Sequence, residues 1–153
     1  MLGPPVRSIV SSGAPDPRRG CDLDDPIEIA ELVRRFYRQL AQDTRFHHYF
    51  DTLAHIDWDA HVRDLTAFWT GALLTGRDRE PGRVIEAHRW LHDATPFDGE
   101  LFARWLDIFD STLDEGWSGP ITELARRRAH GYAWAMAKRL ADVDIGAGRP
   151  VRA

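Results

Sequence analysis

The sequence predicts an all-α fold, and three observations carry that expectation. Apolar residues recur at helical spacing in four long segments. Each of those segments opens on a capping residue or a proline and closes near a glycine or a loop. No stretch alternates apolar and polar residues with the period of two that a half-buried strand needs. With 153 residues, 43% of them hydrophobic, the chain suits one domain with a real core.

Residues 1–23 are rich in Pro, Gly, Ser and Arg without periodicity. They read as a disordered N-terminal tail before a domain spanning 24–141. Asp25 is placed to cap the first helix, with Pro26 in its first turn and Glu28 at the third position of a capping box. Ile29, Val33, Phe36, Tyr37 and Leu40 follow on one face, with Arg34, Arg35 and Arg38 toward solvent. Residues 44–55 form a short, turn-rich aromatic segment containing Phe46, Tyr49 and Phe50.

Asp57 caps the next helix, expected to run to about Leu74 and to stop at Gly76. Its apolar stripe is His61, Leu65, Phe68, Trp69, Ala72 and Leu73. A polar connection over 76–83 leads to a short helix from Val84 to about Leu91 that carries His88. Asp98 caps a long helix to Glu115, and Phe97 and Phe102 are spaced as a hydrophobic staple. Ser118-Gly119-Pro120 starts a last helix to about Ala141, and residues 142–153 read as a flexible C-terminal tail.

Composition narrows the function. A formal net charge of −4 lacks the overall basic balance of nucleic-acid binders. No apolar run approaches the roughly 20 residues of a membrane span, and no signal-peptide segment stands at the start. A cytoplasmic protein is expected. The lone Cys21 excludes an internal disulfide framework. Phosphate-binding Gly loops and Gly-x-Ser-x-Gly elbows are absent.

Three readings fit the histidines. In the first, His61 and His88 are ordinary core side chains. In the second, His88 and His92, four apart on one helix face, are two ligands of a catalytic zinc, with Asp51 and His55 a weaker pair at the same spacing. In the third, His88 holds a haem iron from below, and His61, Phe68, Trp69, Phe50, Tyr37 and Trp105 line the other walls.

Longer residue combinations are more specific. FYRQL at 36–40, HYF at 48–50, DWDAHVRDLTAFWTGALL at 57–74, His88-x-x-Leu91 and PFDGELFARWLDIFDSTL at 96–113 resemble the truncated haemoglobins of group III. The resemblance covers about residues 25 to 140. The chain also lacks the Gly-Gly pairs of group I and II relatives. It implies a two-over-two helical sandwich around haem b, with His88 as the proximal iron ligand. Tyr37 and Trp105 match the distal tyrosine and tryptophan, His61 the distal histidine, Phe50 the phenylalanine packing on the haem plane, and Phe68 a further distal wall residue. The connections before and after His88 are longer than in some relatives, so His92 competes for the proximal role. The implied activity is reversible binding of O₂ or another diatomic by a monomer, with an external reductase as a further partner. Peroxidase-like or nitric-oxide-detoxifying chemistry in the same pocket is the alternative. Arg77, Arg79 and Arg83 are candidates to neutralise the haem propionates, or a solvated loop.

Overall fold

The computed structural model describes residues 20–77 and 81–146. Six α-helices are present among them: α1 (Pro26–Gln42), α2 (His47–Thr52), α3 (Trp58–Thr70), α4 (Gly82–Ala94), α5 (Gly99–Gly116) and α6 (Pro120–Leu140). A 3₁₀ turn at Thr44–Phe46 precedes α2, and a π-helical turn at Gly71–Thr75 extends α3. No named strand occurs among the described residues, and one isolated bridge pairs Cys21 with Trp117.

Local chemistry accounts for the boundaries. Asp25, Asp57 and Asp98 each accept a backbone N–H of the first turn, from Ile27, Ala60 and Leu101. Gly76 closes the π turn with φ of +72°, a left-handed conformation that costs glycine little. The staple forms as expected, with the Phe97 and Phe102 rings edge to face at 5.7 Å. Helix α4 reaches Ala94, about one turn further than the spacing predicts, and the loop begins only at Thr95. Glu28 accepts a hydrogen bond from the Trp117 indole at 2.8 Å, and so ties α1 to the end of α5. Arg35 is drawn in from solvent over the Trp117 ring, 5.1 Å from its centroid.

Helices α1 and α3 form one layer and α5 and α6 the other; α1 packs on α5, and α4 docks against α6. This is the two-over-two helical sandwich that the resemblance implies. Along α6, Ala125, Ala129, Ala133 and Ala137 are fully buried at a spacing of four, so the backbone can approach its neighbours closely. Leu23, Ile29, Phe109 and Leu113 fill the centre. Arg126 reaches Asp110 and Asp114 across the α5–α6 seam, and His130 sits 2.8 Å from Asp110.

The N-terminal boundary differs from expectation. Residues 1–19 lie outside the described residues, but residues 20–23 are built into the fold. Leu23 is wholly buried. Asp22 accepts the backbone N–H groups of Ile121 and Thr122 and the Thr122 hydroxyl, at 2.7–2.9 Å. Helix α6 has no side-chain cap from Gly119 itself, so a carboxylate 100 residues upstream serves instead. Gly119, with φ of +134°, leaves room for it: a Cβ there would meet Asp22 at 2.5 Å. Sequence spacing cannot reveal a cap delivered from so far away. At the other end, Val143 N–H bonds Ala137 O at 2.9 Å and Ile145 packs on the core. The expected tail from 142 therefore begins with packed residues, and its residues 147–153 lie outside the described residues.

Candidate functional site

A cavity of about 230 Å³ lies between α2, α3, α4 and α5. Its walls are mostly apolar, and histidines reach it from two helices. Helix α3 brings His61 and Leu65, one turn apart on one face. Helix α4 brings Ala87, His88 and Leu91, again one face of one helix. Tyr37 enters from α1, Phe50 from α2, and Leu101 and Trp105 from α5.

His88 is oriented by its own helix. Its Nδ1 lies 2.7 Å from Val84 O, one turn back. A carbonyl only accepts, so the neutral ring carries its proton on Nδ1 and leaves the Nε2 lone pair free. Burial pushes the His88 pKa down, the bond to Val84 pushes it back up, and the charge of His61 lowers it again. Burial also lowers the His61 pKa, against an upward pull from Asp64. Both rings are thus biased toward the neutral form, the form in which an imidazole can bind a metal.

His92 has a different partner. Its Nδ1 accepts the Phe97 N–H at 2.9 Å and its ring packs on Phe97 at 5.2 Å. It closes the α4–α5 corner and does not line the cavity. Tyr49 helps at the same corner by donating to the carbonyls of Thr95 and Pro96. The paired-ligand reading of His88 and His92 loses its geometry here, and no group of three His, Cys, Asp or Glu side chains converges among the described residues.

Tyr37 and Trp105 line the same cavity as His88 and carry polar hydrogens. Neither side chain makes a hydrogen bond to a protein group among the described residues. Desolvation raises the Tyr37 pKa to about 12, so the phenol is a neutral donor at any physiological pH. Trp105 is held by a pile of rings: it stacks on Phe109 at 5.5 Å, and Phe109 stacks on Trp69 at 5.3 Å. Phe36 meets Trp105 edge-on at 5.1 Å. Trp58, a residue the sequence reading passed over, buttresses the other side. It stacks on Phe50 at 5.4 Å and packs against Tyr37 and His61. Its position three residues before His61, on the same face, was the available signal.

Five of the seven expected wall residues therefore converge: Tyr37, Phe50, His61, His88 and Trp105. Phe68 and Trp69 do not. Trp69 is buried behind the wall against Phe109 and Tyr132, because the stripe of α3 turns into the core one helical turn past Leu65. Phe68 faces a separate cleft on the far side of α3. Sequence reasoning also missed Trp90, half exposed beside the cavity, and Met136, which reaches it from α6. Of the arginines proposed for propionates, Arg77 and Arg83 line that same far cleft, and Arg79 lies outside the described residues.

The residues fit haem. The cavity is mostly apolar, one histidine with a fixed ring offers a free Nε2, and unpartnered donors line the same cavity.

Comparison with known proteins agrees with this geometry. No family model matches the chain. A group 3 truncated hemoglobin of Campylobacter jejuni is 27% identical over 104 residues, covering 66% of this chain and 79% of that protein. The crystal structure of a group III truncated hemoglobin from Campylobacter jejuni superposes with a TM-score of 0.63 at 25% identity, covering 76% of this chain and 91% of that one. Fold, pocket and similarity converge: the chain has the truncated-globin fold and is similar to the group III truncated hemoglobins.

Proposed function

We propose that the cavity holds haem b with His88 as the proximal ligand, and that the protein reversibly binds O₂ or another diatomic molecule on the Tyr37 and Trp105 side. The observation that carries this reading is the His88 ring, pinned through Nδ1 to Val84 O so that Nε2 remains the metal-binding atom. Phe50, Leu65 and Leu91 supply apolar walls, and His61 stands on the distal side. When bound, the ferrous haem supplies a site for the diatomic and shifts negative charge onto it.

The remaining work belongs to this chain's side chains. Tyr37 donates its O–H and Trp105 its indole N–H toward that charge, and Trp105 has no acceptor with which to do otherwise. Hydrogen bonds to a charged acceptor contribute about 1.5–3 kcal/mol each, so two such donors set the dissociation rate. The Trp69–Phe109–Trp105 stack fixes the indole in place before the ligand arrives. His61, packed edge-on against Tyr37 at 5.8 Å, covers the same side and excludes water.

Haemin titration of the haem-free chain tests the reading. A Soret band saturating at one haem per chain is expected, and its loss in His88→Ala. Haem retention by His88→Ala together with loss in His92→Ala would overturn the proximal assignment. Absence of any Soret band in the unsubstituted protein would overturn the cofactor.

A further inference from the structure

The far side of α3 carries a second concavity that the haem pocket does not explain. It is a cleft of about 870 Å³ running between α1, the outer face of α3, the π turn and the start of α4. Its charge is opposite to that of the chain. The whole sequence carries −4, yet among the described residues Arg34, Arg63, Arg77 and Arg83 line the cleft against one acidic residue, Asp64. Arg34 lies 3.9 Å from Glu31, whose other carboxylate oxygen is held more closely by Arg35 at 2.9 Å. Arg63 and Arg77 have no acidic partner among the described residues. A concave surface lined with one sign of charge focuses potential and concentrates counter-charged solutes.

The floor is not charged. Phe68 lies there, turned away from the haem cavity. Thr70 lines it too, and its hydroxyl is cut off from solvent without a hydrogen-bond partner. The neighbouring threonines show what is unusual: Thr66 donates to Val62 O and Thr75 to Gly71 O.

We propose that this cleft binds a small organic polyphosphate: a molecule with two or more phosphate groups joined to an apolar or aromatic body. The arginines match phosphate oxygens, since a planar guanidinium can donate two parallel hydrogen bonds to one phosphate. Phe68 matches the apolar body. The volume lies in the range of small-molecule sites, about 300–1,000 Å³, and its concave shape favours a small ligand over a protein face. Helix α3 is then a shared wall, with His61 on one side and Arg63 on the other.

The test is calorimetric titration of the full chain as purified, with ATP and with inorganic tripolyphosphate, at low and at physiological salt. ATP binding is expected, tighter than tripolyphosphate and weakened by salt. Arg63→Glu with Arg77→Glu should weaken ATP at least tenfold while leaving the thermal midpoint and the Soret spectrum of the haem-loaded protein unchanged. Phe68→Ala should reduce the advantage of ATP over tripolyphosphate. No heat with either compound at millimolar concentration would overturn the proposal. So would an ATP affinity indifferent to the paired charge reversal. Polyglutamate binding through the same arginines more tightly than ATP would overturn it in favour of an acidic protein partner.

Discussion

In the half of the molecule built by α1, α5, α6 and the last turn of α3, aromatic rings touch aromatic rings on all sides. Around the cavity between α2, α4 and the first turns of α3, which Tyr37 enters from α1, the rings touch on one side and face a hollow on the other. Phe36, Trp69 and Phe109 are buried among one another. Phe50, His61 and Tyr37 are only half-buried, because part of each surface opens on the cavity. The residue types hardly differ between the halves. What differs is the neighbour. Helix α6 offers four buried alanines and lets α5 come close, whereas α4, docked on α6, stands off from α3 and leaves the cavity between them.

The comparison can be broken most decisively at His88. His88→Ala should abolish haem retention and His92→Ala should keep it, even though both side chains sit on one face of α4. Absorbance during haemin titration reads both outcomes, and equal loss in both would erase the distinction between a cavity ligand and a corner brace.

The packed half is next. Phe109→Ala removes the middle of a three-ring stack and should destabilise the haem-free protein by about 3–5 kcal/mol. Phe50→Ala, which already faces empty volume, should cost clearly less. Urea unfolding of the two variants measures the contrast, and equal costs would mean that the two halves are packed alike.

Tyr37→Phe removes one donor and little else. Oxygen dissociation should accelerate about tenfold to a hundredfold if the hydrogen-bond energy appears in the off-rate. Trp105→Phe should do the same, with an added stability cost because the indole is part of the ring stack. Stopped-flow ligand displacement measures both rates, and unchanged rates in both variants would remove the donor role.

The smallest effect is at the clasp. Asp22→Ala should cost about 1 kcal/mol, as loss of a helix cap does. Burial raises the Asp22 pKa, but the hydrogen bonds from Ile121, Thr122 and Leu23 outweigh it and hold the carboxyl below its ordinary 3.8. A depressed carboxyl contributes stability that is full above its unfolded pKa and is lost as pH falls through the folded one. The difference between wild type and Asp22→Ala should therefore be constant near neutrality and close as pH drops below about 3.8. A gap that persists at lower pH would assign the effect to packing instead of charge.

The helices were legible because their signals are local. Asp25, Asp57 and Asp98 announce starts, and Gly76 announces a stop, within a few residues of the event. The likeness to the truncated globins was legible from longer motifs around His88 and Tyr37. Whether a given ring faces core or cavity was not, because that depends on which element comes to lie opposite. Phe68 and Trp69 show the limit: both stand on the stripe headed by His61, yet the stripe leaves the cavity after Leu65. The Asp22 cap and the role of His92 in the Phe97 corner were hidden for the same reason, being contacts between elements.

The clasp between Asp22 and the start of α6 also bears on how the chain folds. It joins positions 100 residues apart, so it can close only after the intervening helices have collapsed into place, and its entropy cost falls late. A contact absent from the transition state changes unfolding far more than folding. Asp22 is thus placed to act as a latch on lifetime: loosening it should shorten the native state's half-life while leaving its rate of formation nearly untouched.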